Sequence, residues 1–334
     1  MYKLIRPLLF TLEPERAHDW TLNTLKFLNR CHLVGLFSRE VSAPFEAFGL
    51  TFKNPVGLAA GLDKNAEYID ALAALGFGFL EVGTVTPRPQ LGNPRPRLFR
   101  LPEQEALINR MGFNSKGLAY FINQLKNKKY DGVLGVSITA NTDTPISNTL
   151  DDYLTCFRGV YPYASYVSVD VSCPNVKGKE ALQSGHLFAA LLDGLKTEQA
   201  ELAKQHDKWV PLVVKVSPDL SPQELTEVAE LLLQFRVEGV IATNTTRART
   251  GVEGAKRAKE QGGLSGRPLF AKSLAVVKQL RSILGTEIPI IAAGGIMGVA
   301  DAEQMRAAGA KLVQIYTGLI YRGPGLIREI AEEF

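Results

Sequence analysis

Short apolar runs recur along the chain from residue 55 onward, and most of them are followed by residues at helical spacing. The eight runs span residues 55–61, 79–85, 133–138, 166–172, 212–217, 239–245, 288–296 and 312–318. They are rich in Val and Ile and continuous rather than alternating, which is typical of strands buried on both faces of a parallel sheet. Helices are predicted between them, for example over 66–75, 150–161, 222–235 and 302–308, with Ser221 and Asp301 as N-caps of the last two.

The number of strand–helix units determines the predicted architecture. Eight units match a (β/α)8 barrel, the TIM-barrel fold. A doubly wound sheet is the alternative, although eight strands exceed its usual number of about six. The length of 334 residues would also allow two domains. We therefore expect an α/β fold in which residues 43–334 form the barrel and residues 1–42 form a small helical extension.

The extension has an amphipathic pattern of its own. Leu4, Leu8 and Leu9 recur at helical spacing, a second periodic set begins at Ala17 and Trp20, and basic residues flank both sets. Such helices lie in a membrane interface in some proteins and pack as a cap on a domain in others; the pattern alone favours the cap. No apolar run reaches the roughly 18 residues of a membrane-spanning helix, and the polar residues 13–16 argue against a signal peptide.

Composition excludes several classes of protein. Hydrophobic residues make up 46% of the chain and charged residues 22%, which excludes a disordered, collagenous or coiled-coil protein. The net charge is only +4 and no run of Lys and Arg is present, so we expect no nucleic-acid partner. Cys31, Cys156 and Cys173 are too far apart for a Cys-x-x-Cys site, so we expect no metal, and free cysteines fit a reducing compartment.

Glycines and lysines follow the predicted strands, where a barrel places its active site. Glycines 294–295 lie at the end of the seventh run and residues 316–318 at the end of the eighth, which is the usual phosphate position of this fold, although glycine pairs are also common in turns. Lys64 and Lys215 follow apolar residues. A lysine buried there needs an anion or a chemical task, and the alternative is a surface lysine with a buried stem.

Three amides and a cysteine complete the candidates. Asn109, Asn175 and Asn244 offer both donors and acceptors, which suits a ring with alternating N–H and C=O groups, although a single Asn is more often a turn or a cap. Cys173 is a candidate nucleophile or base, whereas an inert buried cysteine is the commoner case. No histidine falls at a strand end, which argues against a Cys–His hydrolase.

Several long segments make the sequence similar to the dihydroorotate dehydrogenases, the flavin-dependent barrels of pyrimidine biosynthesis. They are PERAH (14–18), FKNPVGLAAGLDKN (52–65), GTVTPRPQ (83–90), GNPRPRLFRL (92–101), INRMGFN (108–114), VIATNTT (240–246), GGLSGRPL (262–269) and LVQIYTGLIYRGP (312–324). The N-terminal extension and the GTVTPRPQ segment resemble the class 2 enzymes, which are quinone-linked and membrane-associated. The resemblance covers nearly the whole chain.

The resemblance implies a function and its partners. It implies oxidation of (S)-dihydroorotate to orotate with FMN as cofactor and a membrane quinone as electron acceptor, in the biosynthesis of UMP. The N-terminal helices would form the quinone entrance, and residues 1–40 would make a peripheral contact with the cytoplasmic side of the membrane. The resemblance therefore favours a membrane and quinone contact for the N-terminal helices over the packing cap that their pattern alone predicts.

The resemblance also implies a role for each residue at a position of the family's site. FMN would be held by Ala60, Gly61, Lys64, Thr84, Ser137, Asp170, Lys215, Thr243, Gly266, Gly295, Tyr316 and Thr317. The substrate would be held by Lys64, Asn109, Arg110, Met111, Gly112, Phe113, Asp170, Asn175, Asn244 and Thr245. The catalytic base would be Cys173, which would remove the C5 proton while the C6 hydride passes to the flavin.

The sequence departs from the class 2 pattern in three respects, at the base, at Asp170 and around Ser137. The base is Cys173 where that class has Ser, a feature that resembles the soluble class 1 enzymes. Asp170 and Ser137 stand where the family has flavin-contacting Asn residues, and residues 139–140 are Thr-Ala where it has Gly-Lys. An ionised Asp accepts hydrogen bonds but cannot donate them. A divergent oxidoreductase for another dihydropyrimidine, or a catalytically silent flavin-binding paralogue, therefore remain as alternative hypotheses.

Overall fold

The fold begins with two helices that precede the main body. A computed structural model describes residues 2–36, 41–172, 182 and 185–334. Within them, helix α1 spans Tyr2–Thr11 and α2 spans Pro14–Arg30. Pro14 lies in the first turn of α2, where its missing N–H costs nothing, and Glu13 caps that turn by accepting from the Arg16 amide at 2.9 Å.

The main body is a closed barrel of eight parallel strands, counted over the described ranges. The strands are β3 (Val56–Leu58), β4 (Phe79–Val85), β7 (Val133–Ile138), β8 (Tyr166–Asp170), β9 (Leu212–Val216), β10 (Gly239–Ala242), β12 (Ile290–Ala293) and β13 (Leu312–Ile315). The ring closes where β13 pairs with β3. The predicted TIM barrel is confirmed, and a doubly wound sheet is excluded because that sheet has two open edges.

Helices lie between and after the barrel strands. They are α3 (Ile69–Ala73), α4 (Leu118–Asn127), α5 (Thr149–Val160), α6 (Gly185–His206), α7 (Pro222–Gln234), α8 (Phe270–Leu284), α9 (Val299–Ala307), α10 (Thr317–Arg322) and α11 (Gly325–Glu333). Ser221 caps α7 in a capping box with Glu224, as predicted. The prediction of Asp301 as an N-cap was wrong, because α9 begins earlier, after Gly298, and the Asp301 carboxylate accepts from the Met297 amide.

The first predicted helix is also shorter than expected. The sequence predicts a helix over 66–75, but α3 begins only at residue 69. The Asp63 carboxylate accepts from the backbone amides of Glu67 at 2.9 Å and Tyr68 at 2.7 Å, which holds the preceding residues in a turn. A side chain that bonds nearby backbone amides in this way competes with the helix.

A hairpin closes the N-terminal end of the barrel. Strands β1 (Phe45–Ala47) and β2 (Leu50–Phe52) pair antiparallel. The Phe52 ring packs edge-on against Phe79 of β4, with centroids 5.0 Å apart, and both side chains are fully buried. The turn between the strands places Gly49 at a φ of 73°, which glycine adopts without strain. The opposite end, where the strands have their carboxyl termini, is left for ligands.

A three-stranded antiparallel sheet is built into the connections beside the barrel. It consists of β5 (Leu98–Leu101), β6 (Ala106–Asn109) and β11 (Gly263–Gly266), with β6 in the centre. Gly263 lies opposite Asn109 in the register, so the sheet joins two segments that are about half the chain apart. Phe99, Ile108 and Leu264 form its small core. The sheet thereby fixes the end of β6, from which the candidate residues 109–113 continue.

The N-terminal helices are docked and yet keep apolar residues in solvent. The Tyr2 hydroxyl donates to the Ile320 carbonyl and Arg6 donates to the Tyr321 carbonyl, both on α10. Of the α1 residues only Leu9 is buried, whereas Leu4 is 84% and Leu8 68% exposed. No helix in the described part of the chain is both long enough and apolar enough to cross a membrane.

Candidate active site

A cavity of about 290 Å³ lies at the carboxyl ends of the barrel strands and reaches α2. Its wall includes the loop after β3 and the ends of β8, β9 and β13, and on one side Glu15 and His18 of α2. The site therefore lies at the end of the barrel where this fold carries its chemistry. The α2 contribution makes the N-terminal extension part of the same cavity wall.

Most of the candidate residues from the sequence line this one cavity. From the cofactor set they are Ala60, Gly61, Lys64, Thr84, Asp170, Lys215, Thr243, Gly266, Gly295, Tyr316 and Thr317. From the substrate set, besides Lys64 and Asp170, they are Asn109, Met111, Gly112, Phe113, Asn244 and Thr245. Cys173 and Asn175 lie outside the described residues. Residues from many separate strand ends and loops thus converge on one space.

Two candidates do not reach the cavity wall. Ser137 is fully buried, and its hydroxyl shares a 2.9 Å hydrogen bond with the hydroxyl of Thr84, which stands between it and the cavity. The Arg110 guanidinium turns the other way: it donates to Glu260 at 2.7 Å and stacks over the Phe99 ring. The structure therefore places neither side chain in direct reach of a ligand in this cavity.

The Thr-Ala pair at 139–140 is also buried behind the wall. The Thr139 hydroxyl donates to the Asp170 carbonyl at 3.2 Å, and the Tyr153 hydroxyl donates to the same carbonyl at 2.9 Å. Ala140 is 1% exposed. These side chains support the end of β8 from outside and do not belong to the lining.

Of the described residues that depart from the class 2 pattern, Asp170 is the one that lines the cavity. Its Oδ1 accepts from the Ser172 amide at 3.1 Å and from the Asn244 side-chain nitrogen at 3.2 Å. Burial raises the pKa of the Asp170 carboxyl, and the charge of Lys215, its register partner on β9, lowers that pKa by less. Asn244 is held at both ends, because its own oxygen accepts from the Thr245 amide at 2.8 Å.

Lysines and glycines give the cavity an anion-binding character. The Lys64 ammonium donates to the Gly61 carbonyl, and Lys215 is only 6% exposed. At the ends of β12 and β11, Gly295 and Gly266 have φ values of 76° and 94°. A Cβ on Gly295 would lie 2.5 Å from the backbone of Phe270, so a side chain there would push this loop away from α8. Backbone amides and two ammonium groups together suit a phosphate and a carboxylate.

The chain is similar to known proteins over almost its whole length. The model of the dihydroorotate dehydrogenase family matches residues 43–334. The dihydroorotate dehydrogenase (quinone) of Nitrosomonas eutropha is 54% identical over 330 residues, covering 98% of this chain and 96% of that protein. The protein with the same description from Chromobacterium violaceum is 53% identical, covering 99% and 96%. The chain belongs to the dihydroorotate dehydrogenase family.

A solved structure supports the same relationship. The crystal structure of DHODH from Eimeria tenella in complex with ferulenol superposes with a TM-score of 0.87 at 36% identity, covering 96% of this chain and 90% of that one. The ligand-free structure from the same organism gives 0.85. Membership of the dihydroorotate dehydrogenase family, first indicated by sequence segments, is confirmed by similarity of both sequence and structure.

Some cavity residues of this family member were missed by the sequence analysis. Glu15, His18 and Arg97 line the side next to α2, and Gln314 belongs to the floor. For Gln314 a signal was present, because it is a single polar residue within the otherwise apolar strand β13. Glu81 is likewise a charged residue inside the largely apolar strand β4. A polar residue in the middle of a buried strand must find partners inside the barrel.

Proposed function

We propose that the protein oxidises (S)-dihydroorotate to orotate and passes the electrons to a membrane quinone, in pyrimidine biosynthesis. The observation that carries this function is the full-length identity of over 50% with proteins described as dihydroorotate dehydrogenase (quinone). The convergence of the matching residues on one cavity supports it. Full-length similarity of this kind favours the function over another dihydropyrimidine substrate or a silent flavin-binding protein.

FMN is the cofactor that we propose for the cavity, and the donor groups present fit it. A phosphate suits the backbone around Gly266 and Gly295 with the Thr317 hydroxyl, while Lys215 and Thr84 lie in the wall for the ring system. When bound, FMN supplies the hydride acceptor for the oxidation of the C5–C6 bond. In this proposal, Ser137 holds the Thr84 hydroxyl in place and does not itself contact FMN.

Asn109, Asn244 and Lys64 are the groups that we propose to orient the substrate. The two amides provide donors and acceptors for the pyrimidine ring, and the Lys64 ammonium provides a charge for the carboxylate. We assign the C5 proton to Cys173, which lies outside the described residues; the support for this role is the resemblance of segment 172–175 to the family's base. A thiol is a credible base because its pKa is closer to neutrality than that of a serine hydroxyl.

The N-terminal extension, residues 1–42, is the part that we propose for the quinone and the membrane. The exposed side chains of Leu4 and Leu8 offer apolar surface to a peripheral contact on the cytoplasmic side. The cavity reaches α2 at Glu15 and His18, which supports quinone entry from this side. The net charge of +4 suits an anionic lipid surface.

The function is tested with the purified full-length protein. We expect a flavin absorption spectrum, loss of its visible absorbance on anaerobic addition of dihydroorotate, and recovery when a soluble quinone is added. Dihydrouracil, which lacks the carboxylate, should leave the spectrum unchanged. Bound FMN with no bleaching by dihydroorotate would contradict the proposal, and bleaching by dihydrouracil instead would favour the divergent-substrate alternative.

A further inference from the structure

A hydrogen-bonded cluster of polar side chains lies inside the barrel at the floor of the cavity. Glu81 on β4, Tyr166 on β8 and Gln314 on β13 are each at most 1% exposed. The Tyr166 hydroxyl donates to Glu81 Oε2 at 2.8 Å, and Gln314 Nε2 donates to the same oxygen at 2.9 Å. Below the cluster, the Phe79 ring packs against Tyr166. The cluster therefore separates an aromatic lower layer from the cavity above.

The amide of Gln314 has a fixed orientation. Its nitrogen faces the Glu81 carboxylate, and a flipped amide would place two acceptors against each other. The Gln314 side-chain oxygen, Oε1, is buried and has no hydrogen-bond partner within the described ranges. Gln314 is also one of the residues of the cavity wall. The floor of the site thus contains an oriented acceptor without a donor.

A buried carbonyl oxygen without a donor is unfavourable, because it has lost its hydrogen bonds to water and gained none in the protein. Gln199 on α6 gives a comparison within the same chain, since its Oε1 is likewise buried and without a partner in the described residues. Gln199 is packed away from the cavity, with its nitrogen donating to the Val210 carbonyl at 2.8 Å. Gln314 differs because it lines the cavity to which the proposed function assigns FMN and substrate, so a ligand there can supply the missing donor.

We infer that Gln314 is a binding residue of the site, whose Oε1 accepts a hydrogen bond from a ring N–H of the bound heterocycle. The inference rests on the proposed function. The pyrimidine portion of a flavin and orotate both carry an imide N–H between two carbonyl groups, and this shared donor is the chemistry that Gln314 recognises. Glu81 and Tyr166 are positioning residues, since they hold the amide nitrogen and so direct the oxygen.

The test compares Gln314→Met with the matched variant Gln199→Met, which removes the same amide elsewhere. One titration adds FMN to the apoprotein and follows flavin fluorescence. The other adds orotate to the FMN-loaded protein and follows flavin absorbance. Gln314→Met should raise Kd about tenfold in the arm whose ligand supplies the donor, as expected for one hydrogen bond. Gln199→Met should leave both constants within about twofold.

Two results separate this inference from the proposed function. If the unmodified protein takes up no FMN, the proposed function is wrong. If it binds FMN and orotate, but Gln314→Met matches it in both titrations, only the inference is overturned. Glu81→Gln keeps the volume of the side chain and frees the Gln314 amide to turn, so it should raise Kd in the same arm. No change there overturns the positioning role and leaves Gln314 without its proposed orientation.

Discussion

The end of β8 shows how one carboxylate alters the hydrogen bonding of a binding site. Asp170 takes a donor hydrogen of Asn244 that would otherwise be free for a ligand carbonyl. The same carboxylate places a negative charge beside the site that we propose for an anionic substrate. Lys215 offsets that charge only in part, because burial still raises the pKa of Asp170 above its ordinary value.

Asp170→Asn should therefore tighten orotate binding. Removing one like charge from the cavity wall, with an effective dielectric constant of about 20, is worth about tenfold in Kd. In the unmodified protein, orotate affinity should rise as pH falls, because Asp170 protonates at a raised pKa while the orotate carboxylate stays ionised. The measurement is an orotate titration of the FMN-loaded protein at several pH values.

The matched control for Asp170 is Asp143→Asn, which removes an exposed carboxylate outside the cavity wall. It should leave orotate affinity and its pH profile unchanged. A pH profile for Asp170→Asn that parallels that of the unmodified protein would contradict the role given to this carboxylate.

The sequence predicts at which end of the barrel a residue lies, but not the orientation of its side chain. A position after a barrel strand tells which end of the barrel a residue occupies, and this was enough for Lys64 and Asn244. It does not tell which way the side chain turns. Ser137 faces Thr84 and Arg110 turns to Glu260, because hydrogen-bond partners far along the chain decide the direction.

At the scale of elements, a buried ion pair fastens α2 to the barrel. Glu15 on α2 accepts from Arg97 Nη2 at 3.0 Å and from Nε at 3.1 Å, and the two side chains are 8% and 7% exposed. The other terminal nitrogen of Arg97 donates to the Leu91 and Asn93 carbonyls. Every guanidinium nitrogen therefore has a partner, which is the condition under which a buried pair is tolerated.

Glu15→Gln should lower stability far more than the same change in an exposed pair. Neutralising Glu15 leaves the Arg97 charge buried and uncompensated, which costs about 3–5 kcal/mol. Glu198→Gln, in the partly exposed pair with Arg158, should cost at most about 1 kcal/mol. Urea unfolding of both variants measures the difference. Equal losses would show that α2 is not fastened by this pair.

The sequence could not decide between a packing cap and a surface helix at the N-terminus, and the structure shows why. Helix α1 uses polar side chains, those of Tyr2 and Arg6, to bond with α10 while Leu4 and Leu8 remain in solvent. An amphipathic pattern assigns the apolar face to the interior. Of the apolar residues, only Leu9 is buried, and Phe10 packs edge-on against Tyr321. The pattern therefore predicts the helix but not which of its apolar side chains face the barrel.

For the whole molecule, the exposed apolar side chains of α1 give the membrane proposal a direct test. The double variant Leu4→Ser/Leu8→Ser should reduce co-sedimentation with anionic phosphatidylglycerol vesicles by about tenfold or more, given about 1.5–3 kcal/mol for burying one leucine. Leu91→Ser removes a leucine that is 92% exposed in another part of the molecule, and it should have no effect. Equal losses in both variants would indicate general adhesion rather than a docking surface.

The pH dependence of global stability should carry a contribution from Asp63. Burial raises the pKa of this carboxyl to about 6 in the folded state. Its unfolded pKa is about 3.9, so the contribution is fully present below about pH 4 and is lost as pH rises through about 6. The expected loss is about 3 kcal/mol.

Urea unfolding of the unmodified protein and of Asp63→Asn, at pH 4.5 and pH 7, measures this contribution. The variant loses one acceptor for the amides of Glu67 and Tyr68, so its stability is lower overall. The informative quantity is the difference between the two pH values, which should be smaller in the variant. Identical differences in the two proteins would exclude a raised pKa at Asp63.

The contact between the first helix and α10 also sets an order of events during synthesis. The carbonyls that accept from Tyr2 and Arg6 belong to Ile320 and Tyr321. Translation at about 5–20 residues per second leaves roughly 16–64 seconds between synthesis of the two sides of this contact. During that interval α1 has been synthesised, but the surface on which it docks has not been made. The segment that we propose for the membrane is thus synthesised well before the surface that fastens it.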